Sequence, residues 1–156
     1  MNRNKKLLVF TLSGLSCALA LDEVEKILPA VEVNPVPRAP EFVMGIIKVQ
    51  GRILPVLDIR SRFHLPQAEV DLSDHFILAR ARNLPVAILV DNVLGLRELD
   101  EAEIVTPDEL FPKMELLNGV AGLPDGIIYI YDLAKLVSAA DSVEITESIR
   151  AATNDM

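Results

Sequence analysis

One grammar is written into this chain twice. From Gly45 an apolar stretch (Ile46, Ile47, Val49) leads to a turn near Gly51-Arg52, and a second stretch (Ile53, Leu54, Val56, Leu57) ends on Asp58. From Gly119 the order recurs, with Val120, Ala121 and Leu123, a turn at Pro124-Asp125-Gly126, then Ile127 to Tyr131 and Asp132. Glycine and aspartate stand 13 residues apart in both copies (58 − 45 and 132 − 119). Leu19-Ala20-Leu21-Asp22 precedes the first copy and Leu89-Val90-Asp91 the second. The hairpins are offset by 74 residues (132 − 58) but the earlier aspartates by 69 (91 − 22), so a short insertion separates the paired elements of the second half. Self-similarity at this period predicts two related β-rich lobes.

The local signals fill in the elements. Leu7–Leu12 and Cys17–Leu21 form a hairpin about Ser13-Gly14, repeated by Phe76–Ala79 and Val86–Val90 about Arg82-Asn83. Asp22 and Glu25 stand at the cap and capping-box positions of a short helix to about Leu28, closed by Pro29. Asn34 to Pro40 carries three prolines and must be extended. Pro55 marks an edge strand or a bulge. A short helix follows Asp58 through Phe63, and another follows Asp132. Arg97–Pro112 reads as an acidic exposed loop or short helical excursion, with Pro107 and Pro112 inside it. The expected organisation is one unit over residues 1–141, its first barrel mainly 7–64 and its second mainly 75–140. Residues 142–156 are expected as a polar tail, a loosely held helix or frayed end. Some ten short strands in two sets predict a mainly β fold of paired small barrels.

With 51% hydrophobic but 4% aromatic residues and no Trp, the interior must be built from Val, Ile, Leu and Ala. Net charge is −8, near +1 over residues 1–72 and near −9 over 73–156. An acidic second half disfavours a nucleic-acid groove and fits steering toward a protein partner. The single cysteine, Cys17, fits a reducing compartment and reads as a small buried hydrophobe. Residues 3–20 mimic an exported leader, but Ser13-Gly14 breaks the apolar run and the layout recurs inside the chain. A cytoplasmic location is therefore expected, with no direct membrane insertion, since no stretch reaches ~18 unbroken apolar residues.

Chemistry is sparse. Asp22, Asp58, Asp91 and Asp132 could be imagined as paired carboxylates, but each sits where a strand hands over to a helix and suits a structural cap. His64 and His75 lack metal-ligand spacing and read as surface residues. No phosphate loop, dinucleotide fingerprint, nucleophile elbow or zinc helix occurs. No catalytic residue, metal or cofactor is assigned, and an enzyme built on the aspartates stands as the different-class alternative. The Val36–Val43 segment exposes apolar residues beside prolines, to cover the first barrel or to contact a partner. Few aromatics remain to line a polyproline groove.

The run Val36-Pro37-Arg38-Ala39-Pro40-Glu41-Phe42-Val43-Met44-Gly45, followed by Gly51-Arg52-Ile53-Leu54-Pro55-Val56-Leu57-Asp58, resembles CheW-like chemotaxis coupling proteins. Val90-Asp91-Asn92-Val93, the Gly119 hairpin and Asp132-Leu133-Ala134-Lys135-Leu136 continue the likeness over roughly residues 7–140. The resemblance implies two intertwined five-stranded SH3-like β-barrels without catalysis. It implies an adaptor between the cytoplasmic tip of a chemoreceptor and the regulatory domain of a CheA-type histidine kinase, with the receptor tip in the groove between barrels. Lys26 stands where the family usually has glutamate, and Lys48-Val49-Gln50-Gly51 replaces its Asn-Leu-Arg-Gly signature. Lys26, Val36, Lys48 and Gln50 are therefore the expected partner-binding residues, with Glu25 partly supplying the missing acid. A scaffold diverged toward a different signalling pathway is the related alternative.

Overall fold

Three hairpins are set by two-residue turns in which the chain accepts positive φ. Ser13 and Gly14 lie at 51° and 82°, Gln50 and Gly51 at 49° and 81°, Arg82 and Asn83 at 51° and 66°. Two successive left-handed residues match the twist of the flanking strands. The fold is given by a computed structural model describing residues 4–63, 65–66, 69–106 and 116–154. His64, Pro107 and Pro112 lie outside the described residues.

The strands are β1 (Asn4–Leu12), β2 (Leu15–Ala20), β3 (Val24–Pro29), β4 (Val43–Val49), β5 (Arg52–Leu57), β6 (His75–Ala81), β7 (Leu84–Val90), β8 (Asn92–Asp100), β9 (Ile104–Val105), β10 (Leu117–Leu123) and β11 (Gly126–Tyr131). The helices are α1 (Leu133–Leu136) and α2 (Ala139–Asn154), besides 3₁₀ turns at Leu21–Glu23, Ile59–Phe63 and Glu101–Glu103. Two sheets result, ordered β8-β1-β2-β11-β10-β9 and β3-β6-β7-β5-β4.

The sheets do not follow the halves of the chain. The β1–β2 hairpin joins β8–β11, and the β6–β7 hairpin joins β3–β5. The expected first barrel over 7–64 and second over 75–140 are thus corrected: each lobe takes its central hairpin from the other half. The exchange is sealed by two matched parallel contacts, Val56↔Ala87 in one sheet and Ile130↔Ala18 in the other. The strand pairings of the two lobes recur in register, β3 matching β8 at the offset of 69 and β4–β5 matching β10–β11 at 74, with bulges at equivalent places.

Exchange explains the uninterrupted apolar runs. Phe10 and Leu8 of β1 join Ile77 and Ala79 of β6 in the central core, while Leu7 and Val9 face a core inside one lobe and Phe76 and Leu78 a core inside the other. Strands buried on both faces need no polar alternation. Pro55 fits because β5 meets β7 only from Val56 onward, so at Pro55 the strand pairs on one side, with Ile46.

One sequence expectation is overturned and two are narrowed. The helix expected from Asp22 to Leu28 is a single 3₁₀ turn followed by β3, in which Lys26 pairs with Leu78 and Ile27 with Ile77. Val24, Ile27 and Leu28 fit either period, and pairing with β6 decides for the strand. The Arg97–Pro112 segment, expected as an exposed loop or short helical excursion, instead starts inside β8, which runs on to Asp100. The Asp100 carboxylate and Glu103 then form a capping box on a short 3₁₀ turn, and residues 107–112 lie outside the described ones. Residues 142–154, read as a polar tail in the form of a loosely held helix or frayed end, form most of α2, a helix held against the core. Ser138 and Asp141 cap its start reciprocally, Ile145 is fully buried and Ile149 packs on the central core.

The repeated glycines have one cause. A Cβ on Gly45 would lie 2.2 Å from the Asn34 carbonyl oxygen, where Asn34 bridges β4. One on Gly119 would lie 2.3 Å from Ile104 Cγ2, where β9 crosses β10. Gly45→Ala and Gly119→Ala should each cost about 1–3 kcal/mol in urea unfolding, Gly45 more because backbone must yield. Gly122→Ala, with nothing within 4 Å, should be near neutral.

Candidate protein interface

The four repeated aspartates separate into two clusters. At the first, Asp58 accepts from the Arg60 backbone N–H (3.1 Å) and from Arg60 Nη1 (3.2 Å), starting the 3₁₀ turn as expected of a cap. Asp91 starts no helix, contrary to expectation. Its Oδ2 accepts from Ser13 N (2.8 Å) and its Oδ1 pairs with Arg60 Nη2, because β8 begins directly at Asn92 and leaves the carboxylate free for both. Arg60 Nε donates to Ser13 Oγ (3.0 Å). The guanidinium is buried and ties β5, the end of β7 and the β1–β2 turn together. Arg60 and Ser13 went unpredicted, although an arginine two residues after a capping Asp and directly after the apolar Ile59 was visible.

At the second cluster Ala134 occupies the place of Arg60 (134 − 60 is again 74). Asp132 caps α1 by accepting from Ala134 N at 2.9 Å. Asp22 makes no capping bond, correcting its expected role, since Ala20 holds the cap position of its 3₁₀ turn. Arg82, the counterpart of Ser13, donates instead to the carbonyls of Val137 (2.9 Å) and Ala134 (3.0 Å). Among the described residues no guanidinium pairs with the acids here. Burial, then Asp132 and Asp22, push the Glu23 carboxyl up to about 7.

None of this is nucleophile geometry. Cys17 is buried and its thiol is pushed up to about 12, chiefly by burial. His75 is half-buried in β6, with Nδ1 3.4 Å from the Asp91 carbonyl oxygen, rather than at the surface. Among the described residues no group of three His, Cys, Asp or Glu is arranged to hold a metal ion. No described helix is long and apolar enough to cross a membrane.

The chain's distinctive chemistry lies at the two lobe tips, where an edge strand meets a hairpin turn. In the β3–β7 lobe, Lys26 Nζ donates to Gln50 Oε1 at 3.0 Å, so two expected partner-binding residues touch. Beside them Glu25 pairs with Arg80 (2.8 Å) and Arg52 (3.2 Å), and its carboxyl is held below the usual range, first by Arg80. Lys48 is exposed on the same β4–β5 hairpin. Val36 stands apart, half-buried in a cleft of about 590 Å³ between the proline segment and the C-terminal part of α2.

The matching tip of the other lobe is apolar. Leu94 (60% exposed) replaces Glu25 and Leu96 (67%) matches Ile27, with Ile127 (54%) opposite on the hairpin. Gly95, Gly122 and Gly126 stand where the first lobe has Lys26, Lys48 and Arg52. Arg97 to Asp125 (3.4 Å) joins edge strand to turn there. Patterning had not revealed this patch, because the sequence reading assigned no element to Leu94 and Leu96, which lie between the Val90–Val93 repeat and the segment from Arg97.

Glu23→Gln tests the second cluster. A carboxyl raised above its ordinary 4.5 holds more protons folded than unfolded, so stability falls as pH rises from about 4.5 through 7. The variant should gain about 1 kcal/mol at pH 8, discounted for solvent screening, and little at pH 4.5. For the first cluster, Arg60→Met should cost about 3–5 kcal/mol in denaturant melts, because the buried Asp58 carboxylate and the half-buried Asp91 lose their shared cation.

A family model described as CheW-like domain matches residues 6–141. "Chemotaxis protein CheW" of Thermotoga maritima is 29% identical over 134 residues, covering 85% of this chain and 87% of that protein. The same-named protein of Treponema pallidum is 22% identical, covering 87% and 84%. A crystal structure of the scaffolding protein TtCheW from Thermoanaerobacter tengcongensis aligns with TM-score 0.78 and 27% identity, covering 90% of this chain and 96% of that one. That neighbour shares the pair of interlocked SH3-like lobes seen here, and the chain belongs to the CheW-like domain family.

Proposed function

We propose that this protein is a non-catalytic adaptor of bacterial chemotaxis signalling, holding a chemoreceptor's cytoplasmic tip against the regulatory domain of a CheA-type histidine kinase. One observation carries the reading beyond family likeness: structurally equivalent tips are apolar on one lobe and charged on the other. An interior repeated in register needs no such difference, whereas two unlike partners do. The names of its relatives, chemotaxis and scaffolding proteins, agree.

In this reading Leu94, Leu96 and Ile127 form one contact face, Lys26, Lys48 and Gln50 belong to another, and Val36 contributes a separate contact in its cleft beside α2. The adaptor works in the cytoplasm, recruited to membrane-bound receptors through contact rather than insertion. Asp58 is engaged by Arg60 and Asp132 by the Ala134 amide, which leaves them poor general bases. A diverged scaffold in another signalling pathway is favoured by one specific feature, the Lys26–Gln50 pair at a position where the family resemblance leads one to expect opposite charges.

Co-sedimentation with receptor fragments and kinase is the direct test. Leu96→Glu should weaken recruitment by about tenfold or more without lowering the melting temperature, since an exposed apolar side chain at the centre of a contact is replaced by a desolvated charge. A chain that enters neither complex would overturn the adaptor reading.

A further inference from the structure

The charged tip has an unbalanced composition. Within reach of one another stand Lys26, Arg52 and Arg80, with Lys48 on the same hairpin, against one carboxylate, Glu25, already shared by two of the arginines. Lys26 gives its hydrogen bond to a neutral amide, so its charge is not cancelled. Among the described residues Lys48 has no ion-pair partner. The patch therefore carries about three uncompensated positive charges on a protein whose net charge is −8. Half-exposed Ile27 and Ile53 sit among these cations as apolar anchors.

We infer that this tip docks an acidic protein surface with apolar residues between its carboxylates. The inference rests on the adaptor reading only in naming which face of the adaptor is used. Charge complementarity selects the occupant: a basic partner would meet four cations, whereas an acidic one finds Lys26 and Lys48 without competing anions of their own. The rest of the chain repels the same partner, which orients it toward this tip. Nucleic acid fits less well, because an acidic second half adjoins the patch and Ile27 and Ile53 would be buried against phosphate.

The Gln50 conformation supports a fixed site rather than a loose charged fringe. Its φ of 49° is set by the two-residue turn, which aims the amide at Lys26. Glu25 holds Arg52 and Arg80 from the neighbouring strand. Cations positioned before binding lose less side-chain freedom on contact.

The test is an amide chemical-shift titration of the intact protein with two probes, an amphipathic leucine–glutamate peptide and its leucine–lysine counterpart. The acidic peptide should shift residues 24–27, 48–53 and 80, with affinity falling about tenfold between low and 0.5 M salt. Lys26→Glu with Lys48→Glu should abolish those shifts while leaving the remaining spectrum in place. Equal shifts from the lysine peptide, or shifts centred on Leu94 and Leu96, would overturn the inference. Receptor fragment and kinase regulatory domain are then added separately. If either binds and the double reversal leaves affinity unchanged or raises it, the inference falls and the adaptor reading stands. If the acidic peptide seats at the tip but neither protein binds, the adaptor reading falls and the acidic docking surface stands.

Discussion

Arg60 holds the architecture in one geometry. Two lobes that exchange their central hairpins have no single sheet to keep them aligned, so something must pin the exchanged parts at their ends. The buried guanidinium does so by addressing Asp58 at the end of β5, Asp91 at the end of β7 and Ser13 in the β1–β2 turn. One contact thus joins the tip of one exchanged hairpin to the exit of the other. Such a cluster need not add net stability over an apolar replacement, because desolvating three charges costs about what their attraction returns. What it supplies is intolerance of displacement, since a shifted lobe strands a buried charge. The counterpart cluster shows the alternative solution: Arg82 grips carbonyls of α1 and its exit, and the Glu23 carboxyl is left with its pKa raised.

Much of this was legible in the sequence where the physics is local. Turn residues and apolar runs located four hairpins, and the spacing of Gly45 and Asp58 against Gly119 and Asp132 exposed the duplication. The exchange was not legible, because β1 and β6 carry interchangeable patterns and either could sit in either sheet. The same degeneracy hid β3: six residues with apolar Val24, Ile27 and Leu28 satisfy helix and strand, and only β6 arbitrates. Asp22 and Asp91 looked like Asp58 and Asp132 because all four end apolar strands. What separates them is whether a helical turn with a free amide follows, which a distant strand decides. The resemblance to a known family named the residues Lys26 and Gln50 but not that they touch.

Interior and surface obey different rules here. Positions that meet in the cores repeat between lobes with the same bulges, the same parallel contacts and the same crossing segment over the same glycine. Packing allows little else at native density. At the tips nothing requires repetition, and the equivalent positions diverge from Lys26 to Gly95, from Glu25 to Leu94 and from Arg52 to Gly126. Divergence confined to solvent-facing positions of an otherwise duplicated scaffold is where selectivity for different partners can be built without disturbing the fold.

The Lys26–Gln50 pair shows how that is possible within one lobe. Edge strand and hairpin turn must be joined to close the tip, and a glutamate–arginine pair of the family type would join them with zero net charge. Lysine and glutamine make the same bridge with a donor on the opposite strand and leave one positive charge over. Glu25, one residue away, takes up Arg52 and Arg80 and so preserves an acid–base link across the same seam. Closure of the tip is thereby separated from the sign of its field. A partner reads the field at long range and the apolar side chains at contact, so a scaffold can change what it attracts while keeping its shape.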